Sequence, residues 1–365
     1  MNPQIFSLVY DKFSPLISYL PKSQQVKLIS YGRQKFMQQF VQYIQFCEYI
    51  PAESQACELW GINFRSALGN AAGMFKNGEG YDVVAKLGAG AYLGGTSTFN
   101  PRLGNNKFGI KLPFVSLHHS KAAVNWLGLP NLGDELLAKQ PITKRKVAGC
   151  PIGWSVMRSP DFAEADGVGK LIESLWHYHN NPQIDFIEIN ESCPNIKLGV
   201  AGIIPRLQRI ANEFLSKRQR KLPIIVKLSN DLDTRNLAEM MEELIRLGYD
   251  GINLGNTSIE YSSILPQLEP RDRELFNYFT ANFGGGVSGA LLKQKSLDLC
   301  AEAANQLHRL QANHEFHIIR SGGIENAQDL LASKQHGVSF NQWYTGFFNA
   351  YAENGIEVYR NLIGD

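Results

Sequence analysis

The sequence predicts an α/β protein, a (β/α)8 TIM barrel with an N-terminal helical extension. Eight short apolar runs support this fold, and most lack alternation, as expected for strands buried on both faces of a parallel sheet. Amphipathic helical stretches between several of the runs are the second support. A doubly wound open sheet is the alternative, but no GxGxxG motif follows the first run. The runs cover 66–73, 91–98, 151–157, 184–190, 222–228, 251–255, 316–321 and 338–344, and the helical stretches cover 163–180, 203–219, 234–247, 290–309, 325–334 and 347–362.

Composition narrows the class of protein. Hydrophobic residues make up 44% and charged residues 19%, which is typical of a folded globular chain. The net charge of +2 is too close to neutral to indicate a nucleic-acid partner. Five widely spaced cysteines without a CxxC motif favour a reducing compartment and predict neither a disulfide framework nor a metal site. With no signal peptide and no apolar stretch of about 18 residues, we expect a cytoplasmic protein.

The N-terminal segment differs from the rest. We assign 1–55 to a helical extension and 56–365 to the barrel. Apolar residues recur near helical spacing over 5–20, where Pro15 divides the stretch, and Ser23 is a candidate N-cap for a second helix. Two interpretations stay open: a helical cap packed on the barrel, or an amphipathic pair that touches the inner face of a membrane and admits an apolar electron acceptor.

Two long segments interrupt the repeat. Residues 99–150 are rich in turn-forming residues and contain one short helical piece, 133–139. Residues 259–283 show little periodicity and are predicted to form a second long loop. In a barrel, long loops at the C-terminal ends of the strands are typical binding segments.

The strongest chemical signal follows the fourth run, where Asn190 and Asn195 flank Cys193 on a proline-stiffened loop. Carboxamides both donate and accept hydrogen bonds, so the pair can hold a planar ring that carries carbonyl and NH groups. A thiol with a lowered pKa beside such a ring can act as a base. A buried loop cysteine with capping asparagines is the plain structural alternative, and the motifs below weigh against it.

This loop resembles the NLSCPN loop of the dihydroorotate dehydrogenase family, with Glu191 in place of an apolar residue. The resemblance runs from about residue 59 to the C-terminus. Near the first run, the residues around Gly73 and Lys76 are similar to the family's AAGFDKNGE motif, whose small residues let a flavin ring lie against the backbone. The resemblance implies flavin contacts at Ala72 and Gly73, and it makes Lys76 the partner of the substrate carboxylate.

Further motifs follow in the family's order. Thr96 lies in the second-run motif near the flavin, and Asn125 begins a segment that resembles the NxMGLPNLG loop of the soluble class. Lys227 lies inside the fifth apolar run, where a lysine is costly unless it faces a partner. The resemblance places Lys227 near the flavin's pyrimidine edge, where it stabilises the reduced, anionic ring. It makes Asn256 and Thr257 substrate contacts.

A phosphate site is predicted beyond the seventh and eighth runs. Barrels commonly bind phosphate there through backbone NH groups and a helix N-terminus, and glycines allow close approach. The segments resemble the family's GGLSG, GVGGV and LYTG motifs. The resemblance implies cofactor contacts at Ser288, Gly289, Gly322, Gly323, Tyr344 and Thr345.

The resemblance implies an FMN enzyme that oxidises dihydroorotate to orotate in pyrimidine (UMP) biosynthesis. Cys193 takes the proton, flavin N5 accepts the hydride, and four asparagines with Lys76 hold the substrate flat. The asparagines are Asn125, Asn190, Asn195 and Asn256. Alternatives are a related FMN barrel acting on another dihydropyrimidine, and a non-catalytic flavin-binding homologue.

The sequence combines features of the soluble and the membrane-associated classes of the family. A cysteine base marks the soluble classes, whereas the setting of Lys76 and the N-terminal extension resemble the membrane-associated class. Gly95 stands where the soluble class has a lysine, and Ser155 stands where the membrane-associated class has an asparagine. The electron acceptor is therefore left open between a quinone and fumarate, and a homodimer is left open as well.

Overall fold

The computed structural model describes residues 3–4, 16–43, 48–191 and 200–364. Within them, the barrel strands are β1 (Leu68–Asn70), β2 (Tyr92–Ser97), β3 (Ile152–Val156), β4 (Phe186–Asn190), β5 (Ile224–Leu228), β6 (Gly251–Leu254), β7 (His317–Ser321) and β8 (Phe340–Trp343). They form one parallel sheet in the order β1-β8-β7-β6-β5-β4-β3-β2. Each strand lies inside one of the eight predicted runs, so the predicted fold class is confirmed.

The Asn70 side chain helps to close the barrel between β1 and β2. Its Nδ2 donates to the Leu93 carbonyl over 2.8 Å, and its Oδ1 accepts from the Leu93 amide over 3.2 Å. Just past β1, Phe75 and Gly94 form a parallel bridge. A side chain thus supplies hydrogen bonds where β1 is too short to supply them from its backbone.

Helices surround the sheet. They are α1 (Lys22–Gln42), α2 (Tyr81–Leu87), α3 (Asp134–Lys139), α4 (Glu164–His179), α5 (Val200–Glu213), α6 (Leu237–Arg246), α7 (Pro270–Asn282), α8 (Lys293–Leu310), α9 (Ala327–Gln335) and α10 (Thr345–Asn354). Shorter turns are Glu53–Gln55, Leu215–Lys217, Thr234–Asn236, Tyr261–Ile264, Leu265–Gln267, Ala290–Leu292, Gly355–Glu357 and Arg360–Ile363. Each predicted helical stretch overlaps one of these helices. In the described chain, none is long and apolar enough to cross a bilayer.

The barrel interior has two layers. Apolar side chains fill the end nearer the strand N-termini, where Trp60 and Phe64 of a short hairpin (Cys57–Leu59 with Ile62–Phe64) pack against Phe186 and Phe340. Because side chains alternate along a strand, the residues two positions further on face the same interior. There the layer is polar, and it holds Ser155, Glu188, Lys227, Asn253, Ser321 and Gln342. This polar layer lies toward the C-terminal end, where the long loops gather.

Helix α1 joins the barrel to the insertion. Its Phe40 is fully buried and packs 5.7 Å from the Phe347 ring of α10, while Val26 lies in a separate apolar cluster with Val115. The predicted Ser23 N-cap is wrong. The carbonyl of Pro21 already accepts the first helical hydrogen bonds, from the amides of residues 24 and 25, so residue 23 lies inside the first turn. Most of the predicted preceding helix lies outside the described residues.

The two long segments pack together. In the first segment, strand Ala122–Asn125 pairs antiparallel with Phe114–Leu117 on one side and with Gly286–Gly289 on the other. We call these three strands the insertion sheet. A hairpin of Asn106–Lys107 and Ile110–Lys111 stands beside it, and the predicted short helical piece is α3.

The prediction of a plain loop over 259–283 is wrong, because this segment contains α7. That helix buries Leu275, Phe276 and Phe279 in the apolar cluster of the insertion sheet. The rest of α7 is mostly polar, which makes its helical periodicity weak. The proposed division between 1–55 and 56–365 stays a prediction.

Candidate active site

A cavity of about 710 Å³ opens at the C-terminal end of the barrel, between the strand ends and the insertion sheet. Every predicted site residue in the described part of the chain lines it. These residues are Ala72, Gly73, Lys76, Thr96, Asn125, Asn190, Lys227, Asn256, Thr257, Ser288, Gly289, Gly322, Gly323, Tyr344 and Thr345. Cys193 and Asn195 lie outside the described residues. The individual roles stay predictions, but the residues meet at one place.

The lining is cationic. Lys76, Arg102, Arg158 and Lys227 all border the cavity, and among its described lining residues none is Asp or Glu. Such a cavity favours ligands that carry negative groups, because the charges attract one another across a space partly shielded from water.

One end of the cavity can hold a phosphate. Ser288 and Thr345 approach each other, with their hydroxyl oxygens 2.9 Å apart, and Gly322 and Gly323 border the same space. Helix α10 begins at Thr345, so its first backbone NH groups have no partner within the helix. Helix N-termini of this kind bind phosphate oxygens through NH groups and the helix dipole.

At Gly73 the backbone carries no Cβ, and its φ is +92°. A Cβ at this position would lie 3.6 Å from Lys76 Nζ and 4.0 Å from the Tyr344 ring, both of which line the cavity. Glycine therefore leaves space for a flat ligand and also tolerates the left-handed backbone.

Lys76 is held by the loop that follows β1. The Glu79 carboxylate accepts from the backbone amide of Lys76 over 3.1 Å and from that of Asn77 over 2.7 Å, which fixes the turn. Burial, aided by the charge of Arg33 and opposed by Glu79, lowers the pKa of Lys76 to about 8. A lysine in this state gains from pairing with an anionic ligand, which would restore the preference for its charged form.

The asparagines reach the cavity from different elements. Asn125 ends a strand of the insertion sheet, and its Nδ2 lies 3.4 Å from the Gly286 carbonyl. Asn190 ends β4 and donates to Thr96 Oγ1 over 3.2 Å. Asn256 follows β6, and its Oδ1 accepts from the Thr257 amide over 2.9 Å. Carboxamides on three sides suit a ring edged with carbonyl and NH groups.

None of the described cysteines borders the cavity. Burial raises the pKa of Cys57 to about 11 and the pKa values of Cys150 and Cys300 to about 12, so all three thiols stay protonated near neutral pH. They are structural residues by this criterion.

Glu188, which is fully buried beneath the cavity, is a site residue that was not predicted from the sequence. Its Oε1 lies 3.6 Å from Lys227 Nζ and accepts from Ser155 Oγ over 3.1 Å, and its Oε2 accepts from Asn253 and Gln342. The signal was present, since Glu188 is an acidic residue inside an apolar run, two positions before Asn190. Gln342, which lines the cavity from β8, is a second polar residue inside an apolar run that was not predicted.

A second missed contact comes from the N-terminal extension. The Arg33 guanidinium of α1 donates to the Tyr344 hydroxyl at the end of β8 and lies 5.1 Å from the centre of the Phe114 ring. Both Tyr344 and Phe114 line the cavity, so α1 packs against the outside of its wall.

The sequence model of dihydroorotate dehydrogenase matches residues 54–360, most of the chain. This chain belongs to the dihydroorotate dehydrogenase family. The chain is 29% identical over 330 residues to dihydroorotate dehydrogenase (quinone) of Buchnera aphidicola subsp. Schizaphis graminum, covering 87% of this chain and 89% of that relative. The enzyme of the same name from Kineococcus radiotolerans is 30% identical over 79% of this chain and 75% of its own length.

A solved structure is similar as well. The dihydroorotate dehydrogenase of Eimeria tenella, crystallised with ferulenol, superposes with a TM-score of 0.73 at 22% identity, over 91% of this chain and 89% of that one. At this identity, the likeness shows the shared barrel fold.

The structure gives polar partners to two departures from the family's motifs, those at Ser155 and Glu191. Ser155, at the position of an asparagine, bridges Thr96 and Glu188 with distances of 3.0 Å and 3.1 Å between the oxygens. Glu191, at the position of an apolar residue, is buried and accepts from Arg206 of α5 over 2.7 Å. Each departure thus has a polar partner in this chain.

Proposed function

We propose that this member of the dihydroorotate dehydrogenase family oxidises dihydroorotate to orotate in pyrimidine biosynthesis, with FMN as its bound cofactor. One observation carries the proposal: the described motif residues come from separate loops and line one cationic cavity. A small anionic heterocycle and a flavin phosphate both fit that lining.

The cavity fits FMN in size and shape. Its volume of about 710 Å³ suits a flavin with a substrate beside it, and the Cβ-free backbone at Gly73 leaves a flat surface for a ring. Ser288, Gly322 and Thr345 offer hydroxyl and backbone donors for one phosphate at the N-terminus of α10. The family's flavin dependence agrees with this arrangement, and a single phosphate site favours FMN.

The substrate would lie between the asparagines and the flavin. Lys76 pairs with its carboxylate, while Asn125, Asn190 and Asn256 hydrogen-bond the carbonyl and NH groups of the ring, with Asn195 as the predicted fourth contact. Holding the ring in one orientation lowers the entropic cost of the reaction. Thr257 borders the same place.

Bound FMN would supply the acceptor, at N5, for the hydride that leaves ring carbon six. The protein itself would remove the proton. The Cys193 thiolate takes this proton from ring carbon five, and the product is orotate. Cys193 follows Asn190 by three residues in the sequence, and three residues span at most about 11 Å, so chain connectivity keeps the thiol within reach of the cavity. The described cysteines offer no alternative base.

We further propose a quinone, not fumarate, as the electron acceptor, with peripheral contact to the inner face of the cytoplasmic membrane. The relatives from Buchnera and Kineococcus carry quinone in their names. Helix α1 contacts the cavity lining through Arg33 and Tyr344. Large apolar side chains on and near this helix are exposed, among them Leu16, Tyr19, Leu28 and Tyr31. Such a face suits a lipid surface.

Steady-state turnover of dihydroorotate with a short-chain ubiquinone, with fumarate and with neither tests this function. We expect turnover with the quinone and little with fumarate. Turnover with fumarate alone would contradict the proposed acceptor, and no turnover with any acceptor would contradict the proposed reaction.

Vesicles that contain anionic lipid and long-chain quinone test the membrane contact. The double variant Leu28→Glu/Tyr31→Glu changes exposed positions of α1, so we expect it to fold normally, to bind vesicles weakly and to lose turnover with the embedded quinone. Leu331→Glu, an exposed leucine of α9, is the matched control and should behave as wild type. Unchanged vesicle binding by the double variant would contradict the contact.

A further inference from the structure

Glu188 is the buried acidic group beneath the cavity. Its side chain is fully buried but does not itself border the cavity, whereas Thr96, Asn190, Lys227 and Gln342 do. Glu188 therefore stands one layer below the residues that meet the ligands.

Three neutral side chains donate hydrogen bonds to this carboxyl, and one ammonium forms an ion pair with it. Ser155 Oγ lies 3.1 Å from Oε1, and Lys227 Nζ lies 3.6 Å from the same atom. Asn253 Nδ2 and Gln342 Nε2 lie 2.6 Å and 3.0 Å from Oε2. Three donors and a neighbouring ammonium suit a carboxylate, which accepts only. The structure thus pairs a negative charge below the cavity with the Lys227 ammonium that borders it.

We infer that Glu188 is a positioning residue for the flavin site, which holds the Lys227 ammonium in place and lowers the reduction potential of the bound flavin. This inference rests on the proposed function, because it requires a flavin in the cavity. Lys227 alone would place a full positive charge beside the ring and favour electron uptake, since reduction adds negative charge. Glu188 offsets that charge and keeps the pair neutral.

Glu188 also fixes the direction of a hydrogen-bond chain. The Ser155 hydroxyl has one hydrogen, which goes to Glu188, so the Thr96 hydroxyl must donate its own hydrogen to Ser155 over 3.0 Å. Thr96 is then left to accept from Asn190 Nδ2, as it does over 3.2 Å. The carboxylate therefore orients Thr96 and Asn190, both of which border the cavity.

The test is the midpoint potential of the bound flavin, measured by equilibration with a redox dye. Glu188→Gln should raise the equilibrium constant for two-electron reduction about tenfold, which is about 30 mV. Lys227→Gln should lower it by a similar factor, and Glu188→Gln/Lys227→Gln should lie within about twofold of wild type, because the double variant is neutral again. A change below twofold, or a lower potential, for Glu188→Gln would overturn the inference.

Two controls separate charge from other effects. Ser155→Ala cuts the hydrogen-bond chain but keeps the Glu188 charge, so its potential should stay within about twofold of wild type; a shift as large as that of Glu188→Gln would contradict the charge effect. Asp272→Asn removes a buried carboxylate that accepts from Ser120, away from the cavity lining, and should leave the potential unchanged.

A Glu188→Gln variant that fails to fold still permits a test of the pairing between Glu188 and Lys227. Removing one partner of a buried ion pair strands the other charge, so Glu188→Gln alone can fail to yield flavoprotein. In that case the double variant decides: recovered flavin content supports the pairing, and a double variant as poor as the single one contradicts it. The dye titration needs no dihydroorotate. A wild-type flavin that dihydroorotate leaves oxidised would sink the proposed function while the potential series still tests Glu188.

Discussion

Glu191 and Arg206 form a buried ion pair, with 2.7 Å between Oε2 and Nη2 and side-chain exposures of 6% and 5%. Glu191 directly follows β4, and Arg206 lies on α5, so the pair joins the described chain on either side of the predicted catalytic loop. The Glu191 amide also donates to the Lys227 carbonyl over 2.9 Å. This pair gives a reason for an acidic residue where the family's motif has an apolar one.

Breaking this pair should cost stability. Arg206→Leu leaves the Glu191 carboxylate buried without its partner, and we expect the free energy of unfolding to fall by about 3–5 kcal/mol. Glu191→Leu should cost less, because Arg206 keeps its ion pair with the half-exposed Glu164 over 2.8 Å. The double variant Glu191→Leu/Arg206→Leu should recover most of that loss, because an apolar pair needs no desolvation. Urea unfolding followed by circular dichroism measures each value. Single variants within about 1 kcal/mol of wild type would show that the pair contributes little.

The bare backbone at Gly73 should be needed for flavin binding. Gly73→Ala adds a methyl group that faces Lys76 and Tyr344 across the cavity, and we expect purified protein with much lower flavin content. Gly109→Ala is the matched control, since Gly109 has a similar positive φ of +72° but nothing within 4 Å of the added atom. Both variants carry comparable backbone strain. Equal loss of flavin in the two would attribute the effect to strain instead of the cavity.

Ligand binding through Lys76 should depend on pH. The lysine binds a carboxylate in its protonated form, and its pKa without ligand is lowered to about 8, first by burial and then by Arg33. The affinity for orotate should therefore be full below pH 8 and fall about tenfold per unit above it. Flavin absorbance changes on titration with orotate provide the dissociation constants. Arg33→Met should move the midpoint to higher pH, and Lys76→Ala should remove it; an unchanged midpoint in Lys76→Ala would exclude Lys76 as its origin.

Cys193 should be needed for turnover but not for flavin binding. Cys193→Ala removes the proposed base, and we expect flavin content near wild type with turnover reduced by a factor of about 100 or more. Cys57→Ala is the control, because burial raises the pKa of that thiol to about 11 and it does not border the cavity. Near-wild-type turnover by Cys193→Ala would exclude the thiol as the base.

Much of the barrel could be predicted from sequence because buried parallel strands leave a local signal. All eight runs contain a strand, and the motif residues cluster because they follow strand ends that meet at one face. Helix α7 could not be predicted from periodicity, since Leu275, Phe276 and Phe279 are few apolar positions in a polar segment. Contacts with the insertion sheet, which buries these three residues, stabilise the helix, and those contacts are not local in the sequence.

The polar layer below the cavity was only partly predictable. Lys227 was singled out because a lysine in an apolar strand needs a partner, but the partner itself, Glu188, was not identified. The two lie on neighbouring strands, so their meeting depends on strand order and register. The contact between Arg33 and Tyr344 joins residues far apart in the sequence, and no local pattern indicates it.

The most direct measurement is an anaerobic absorbance spectrum of the purified protein before and after addition of dihydroorotate. We predict an FMN spectrum whose visible oxidised-flavin band bleaches on addition, because the bound flavin takes up the hydride. A flavin band that stays oxidised, or protein that binds no flavin although it is folded, would contradict the assignment of dihydroorotate oxidation to this cavity.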